Sequence, residues 1–251
     1  ASFYNVSGPF HYFSDEESYM FYPGTVWYPY DSNAPQSKDD INPSPSYSLK
    51  KVDNLWHFNK VFDDVLFWGA RNFEVLGNKI VVGDGNEIGN DMTDWDGDTY
   101  YGEIVGGGDI IWTKVNDIEN RGFYHGSTIG DINNDGLMDV GGAPGQWYPD
   151  LGEWHIKIFT QNENGNFDNN DSILNLDQIH NLPFTLDFAD VFGDSRDEII
   201  FADYGGGDPF SNSSLNQIKI FAYNEISNKF DLHWESNSPT ALYSIGMGAT
   251  S

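Results

Sequence analysis

Apolar residues in this chain fall in short runs. The clearest are KIVVG (79–83), EIVGG (103–107), DIIWTKV (109–115), HIKIFTQ (155–161), EIIFADY (198–204) and QIKIFAY (217–223). Each is rich in β-branched and aromatic residues, and clusters of Gly, Asn and Asp separate them. Long helical periodicity is scarce. The pattern predicts many short strands joined by tight turns, and so an all-β chain. The N-terminal stretch differs. It is rich in Tyr, Phe, Pro and Ser, with an acidic patch at Asp15, Glu16 and Glu17 and the run INPSPSYS. Residues 1–60 are expected to be irregular, with a strand or two, packed on a β-domain spanning 61–251.

The strand pattern repeats. GDINNDGLMDV (130–140) lines up with ADVFGDSRDEI (189–199), and each is followed by a similar strand and turn, HIKIFTQNENGNFD (155–168) and QIKIFAYNEISNKFD (217–231). The leading acids, Asp131 and Asp190, stand 59 residues apart (190 minus 131). A looser third copy is DWDGDTYYGEIVGGG (94–108), with Asp94, Asp96, Asp98 and Glu103. A unit of four short strands repeating every 40–60 residues predicts a β-propeller, or a portion of one, in which each blade buries its apolar face against its neighbours. The last residues, MGATS, resemble HGSTI (125–129), which leads into the first acidic loop, so the last repeat is expected to be cut short.

Composition narrows the function classes. Acidic residues number 39 against 12 Lys and Arg, for a formal charge of −27. That balance repels nucleic acid and anionic membrane surfaces and suits divalent cations. Disorder is discounted because hydrophobic residues make up 39% of the chain and aromatic residues 16%, enough for a core. There is no cysteine. A secreted protein without disulfides needs another staple, and bound metal is one. Nothing in the sequence resembles a signal peptide or a run of 18 apolar residues. Sequons at Asn5, Asn170 and Asn212 arise readily by chance in an Asn-rich chain.

The acidic loop 131–139 has the residue types a hard cation needs. Calcium takes six to eight oxygen ligands and tolerates irregular geometry. Alternate positions of a tight loop, here Asp131, Asn133 and Asp135, turn side-chain oxygens to one centre. Gly136 permits the sharp turn, Leu137 offers a carbonyl, and Asp139 closes the cage. An EF-hand requires an acid at position 12 and flanking helices. Position 12 is Gly142 and the flanks are strand-like, so that loop type is excluded. The competing reading is an ordinary Asx turn.

The motif Asp-x-Asn-x-Asp-Gly-x-x-Asp running into a strand, repeated in an all-β chain, resembles the FG-GAP/VCBS family of β-propeller repeats over about residues 90–251. The family includes the heads of integrin α-subunits, some lectins and bacterial polysaccharide lyases. The resemblance implies calcium held by Asp131, Asn133, Asp135, the Leu137 carbonyl and Asp139, bracing a blade. In the second copy it implies Asp190, Asp194, the Arg196 carbonyl and Glu198, with Phe192 where an oxygen belongs and Ser195 in place of glycine. In the third it implies Asp94, Asp96, Asp98 and Glu103, the last one residue late. It further implies an extracellular or cell-surface location.

Ligand-binding candidates are aromatic-polar loops: Trp147, Tyr148, Trp154 and His155 in 141–155, Tyr204 and Asp208 in 203–214, and the stretch TVWYPYDS (25–32). Aromatic rings lie against sugar faces while Asp and Asn bond hydroxyls, but the same rings also fill wedges between blades. No nucleophile elbow or His-Glu-x-x-His motif occurs. The Tyr124–His125 pair and His155 are the nearest to a lyase acid/base set. Three functions follow: a non-catalytic calcium-braced propeller binding a glycan or a cell-surface or matrix protein, a polysaccharide lyase or hydrolase, or a structural subunit of a larger surface assembly, completed by a further chain. The shortage of basic residues weighs against a lyase for anionic polymers.

Overall fold

The computed structural model describes residues 10–14, 16–23, 44–67, 70–84, 97–116, 124–144, 156–175, 182–204 and 216–236. Sixteen strands are present among them, in four antiparallel four-stranded sheets. The first sheet comprises β1 (Phe10–Ser14), β2 (Glu17–Tyr22), β3 (Ser44–Val52) and β4 (Leu55–Phe67); the second β5 (Ala70–Leu76), β6 (Lys79–Asp84), β7 (Thr99–Val105) and β8 (Asp109–Lys114). The third holds β9 (Tyr124–Gly130), β10 (Asp139–Pro144), β11 (Lys157–Gln161) and β12 (Phe167–Asn169); the fourth β13 (Leu182–Ala189), β14 (Glu198–Tyr204), β15 (Asn216–Asn224) and β16 (Lys229–Glu235). In every sheet the strands lie in chain order. The sheets open at residues 10, 70, 124 and 182, a step of 54 to 60 residues, close to the spacing of the acidic repeats.

The N-terminal segment departs from expectation. Residues 10–67 form a complete sheet rather than an irregular wrap. Tyr19 and Phe21 are buried while Met20 and Tyr22, which alternate with them, are half-buried, the period-two alternation of a strand. The β3–β4 hairpin turns on Asp53 and Asn54, with φ of 51° and 64°, the conformation that matches the twist of the flanking strands.

The chain divides into two compact units, Ala1–Tyr124 and His125–Ser251. In the first, Tyr12, Tyr19, Phe21, Phe62 and Phe67 pack with Ile80, Val82, Tyr100 and Ile110. In the second, Ile132, Ala143, Ile156 and Ile158 pack with Leu186, Phe188, Ile199, Phe201, Phe221 and Phe230. Each Val, Leu, Ile or Phe among them contributes roughly 1.5–3 kcal/mol on leaving water. Gly141 lets the third and fourth sheets approach: a Cβ there would stand 2.6 Å from both Leu186 and Phe188.

Candidate metal centre

The two well-matched acidic loops occupy the same place in their sheets. Residues 131–138 join β9 to β10, and 190–197 join β13 to β14. Their backbones follow the same path. The fourth and sixth positions are left-handed in both: Asn134 and Gly136 at φ 59° and 84°, Gly193 and Ser195 at 74° and 72°. Asn and Gly tolerate that region at little cost; serine does not. Ser195 therefore holds the glycine conformation under strain.

The first acid organises each loop. Asp131 accepts the Asp135 N–H (3.0 Å) through Oδ1 and the Gly136 N–H (2.8 Å) through Oδ2. Asp190 accepts the Gly193 and Asp194 N–H groups (2.6 and 3.0 Å) through Oδ1 and the Ser195 N–H (3.0 Å) through Oδ2. The fifth acids repeat one another: Asp135 accepts the Leu137 N–H (2.8 Å) and Asp194 the Arg196 N–H (3.1 Å). Asn133 accepts the Asp135 N–H (3.1 Å) and donates to Asp135 Oδ2 (2.9 Å). Phe192, at the equivalent position, supplies no oxygen.

The ninth position anchors the loop to the sheet. Asp139 is fully buried, and accepts the Ile132 N–H at 3.2 Å and the β11 Gln161 N–H at 3.0 Å. Burial raises its carboxyl to about 7, against the pull of those two bonds, and the Asp135 and Asp131 carboxylates add to the rise. Glu198 is likewise buried and accepts the Val191 and Phe192 N–H groups (2.8 and 3.2 Å); burial raises its carboxyl too.

Asp197, at the eighth position, ties the two loops together. It accepts the Asp131 N–H at 2.7 Å, while its own N–H bonds the Asp131 carbonyl at 3.2 Å. Its carboxyl is raised, chiefly by burial. Sequence reading missed it. The equivalent residue in the other copy is Met138, so the repeat offers no signal.

The third copy is placed differently. Segment 94–98 precedes β7, on the connection from second to third strand, which leaves a meander at the opposite end from the first connection. Asp94 and Asp96 lie outside the described residues. Asp98 pairs with Lys114 at 2.8 Å. Glu103 lies within β7, opposite Lys79 in register and in an ion pair with it. Each of these two acids is thus engaged by a lysine on a strand. Trp147, Tyr148, Trp154, His155 and Asp208 also lie outside the described residues, as do stretch 25–32 and residues 237–251. Tyr204 ends β14, opposite Leu182 and Asn216. The run GGGD at 106–109 turns β7 into β8, whereas 205–208 follows a second strand, so the two are not equivalent.

Among the described residues, no three His, Cys, Asp or Glu side chains converge as a metal-holding group. The donor set of loop 131–139 nonetheless fits a hard cation. It is oxygen throughout, its backbone is curled into the required turn, and its buried ninth acid gains from any neighbouring positive charge. No protein-family model and no curated protein matches the chain.

Proposed function

We propose that this chain is a calcium-stabilised, non-catalytic binding protein whose four sheets are blades of a β-propeller. The observation that carries the reading is the pair of acidic loops: same connection, same left-handed positions, same capture of loop N–H groups by the first acid. Calcium is assigned to Asp131, Asn133, Asp135, the Leu137 carbonyl and Asp139. A weaker second site is assigned to Asp190, Asp194, the Arg196 carbonyl and Glu198, short of one oxygen at Phe192. In a cysteine-free chain of charge −27, the ion offsets carboxylate repulsion and ties each loop to its sheet. The calcium requirement and the acidic surface support an extracellular or cell-surface setting, with a glycan or a surface protein as partner.

The test is a thermal melt with calcium and with excess chelator, followed by metal counting on dialysed protein. Saturation at about a thousand times Kd stabilises by roughly 4 kcal/mol, a shift on the order of 10 °C for a unit of this size. One or two calcium ions per chain are expected. Coincident melts and no bound metal would reduce the loops to ordinary turns.

A further inference from the structure

The fourth sheet differs from the third at the end that carries its acidic loop. The backbones match, but the side chains do not. Buried Ile132 is matched by Val191, 46% exposed, and Asn133 by Phe192, 47% exposed. Leu137 is matched by Arg196. On the adjacent turn between the third and fourth strands, Asn164 is matched by Ile226, 95% exposed, and Gln161 by Tyr223. The third sheet ends in amides and acids suited to an ion. The fourth presents apolar groups to water.

Two contacts tie the loop to the last two strands of its sheet. The Arg196 guanidinium lies 4.1 Å over the Tyr223 ring, linking the loop to β15 and the turn that carries Ile226. Phe192 packs on His233 of β16, ring centres 4.7 Å apart. His233 is the extra residue of a β-bulge, since Ile220 pairs with Trp234 while Phe221 pairs with Leu232. Bulges re-aim side chains, and this one brings His233 against the loop.

We propose that Val191, Phe192, Arg196, Tyr223, Ile226 and His233 form a docking surface for a protein segment with an apolar anchor flanked by lysine or arginine. Exposed apolar groups beside a stacked Arg–Tyr pair have the composition of an interface centre. Asp190, Asp194 and Glu225 are exposed on the same loop and turn, against the cations Arg196 and Lys229, and the whole chain is strongly acidic, so a basic flank is attracted. A second copy would bring the same acids and be repelled. A sugar needs a flat ring face, yet Phe192 packs on His233, Tyr223 is covered by Arg196, and Val191 and Ile226 are aliphatic. This inference rests on the partner-binding half of the proposed function and not on calcium.

The test uses the whole chain and the double variant Phe192→Ala/Ile226→Asn, which removes the apolar groups at two exposed positions without adding an oxygen to the second acidic loop. Its melting is expected to stay within a few degrees of wild type. Both proteins are labelled and applied, in calcium and in chelator, to an array of short random peptides and to a glycan array, and both are sedimented. Wild type is expected to hold peptides that combine an apolar anchor with Lys or Arg flanks. The double variant is expected to bind them about tenfold more weakly or worse, and acid-flanked versions to bind neither protein. The inference fails if no peptide binds, if binders lack that composition, or if the double variant binds them equally. It also fails if wild type sediments as a dimer that the double variant breaks. Glycan binding unchanged by the double variant, with no peptide held by wild type, would remove this surface and leave the broader function standing; a calcium-independent melt would remove the metal clip alone.

Discussion

Asp139 makes the stability of this chain depend on pH in a direction that is easily checked. In the unfolded chain its carboxyl titrates near 3.8; in the fold, burial lifts it to about 7. Between those values the folded chain holds a proton that the unfolded chain has lost. Stability without calcium is therefore fullest below about pH 4 for this group and is lost as pH rises through about 7. Each pH unit in that window is worth about 1.36 kcal/mol. The whole shift amounts to roughly 4 kcal/mol, and the part between pH 5 and 8 to about 2.5 kcal/mol.

The assay is urea unfolding in excess chelator at several pH values from 5 to 8, for wild type and Asp139→Asn. The variant keeps the shape, removes the titration and gives up one of two accepted N–H bonds, at about 1 kcal/mol. Subtracting its curve removes the general repulsion of a chain at −27. Wild type is expected to lose about 2–3 kcal/mol relative to the variant on going from pH 5 to pH 8. Saturating calcium should flatten the wild-type curve, because the cation holds the carboxylate ionised, and should leave the variant's unchanged. Parallel curves for the two proteins in chelator would refute the reasoning.

Further expectations concern backbone and packing. Gly136→Ala puts a side chain at φ 84° with nothing within 4 Å of its Cβ, so its cost, about 1 kcal/mol in urea unfolding, comes from the backbone alone. Ser195→Gly relieves the same strain in the other loop and should raise stability by up to about 1 kcal/mol, without any new contact. Gly108→Ala combines φ 74° with a Cβ 2.0 Å from buried Tyr19, and calorimetry should show a loss of about 3 kcal/mol or more. Lys157→Met breaks a half-buried pair with Asp171, whose Nζ–Oδ2 distance is 2.9 Å. A loss of about 1–3 kcal/mol is expected, with recovery in Lys157→Met/Asp171→Asn as the double-mutant check.

What the sequence disclosed depended on how local each feature is. Strands β6, β7, β8, β11, β14 and β15 were legible because β-branched runs sit between turn residues, whereas β9, β13 and β16 carry too few such residues to stand out; the step of the repeat matched the spacing of the sheets. The first sheet was not legible. Its core face in β3 carries Ser46 and Ser48, both fully buried, with Ser46 Oγ donating to the Val65 carbonyl at 2.9 Å. Leu49 beside them is only half-buried. The expected alternation of apolar-in and polar-out is inverted there, and aromatic residues on both sides of β1 and β2 hide it further. The loop 131–139 was legible because its carboxylates, its glycine and its closing acid fall within nine residues and bond one another's backbone. The third copy shows the limit of such spacing. Its acids recur at a similar interval, yet the segment lies on another connection, and Glu103 belongs to a strand pair with Lys79. Asp197 marks the other limit. Its partner Asp131 lies 66 residues away in the chain and is brought close only when the third and fourth sheets pack. Residue spacing carries the shape of one loop; which side chains reach from one loop to the next is decided by that packing, and so are Asp197 and the exposed surface around Phe192.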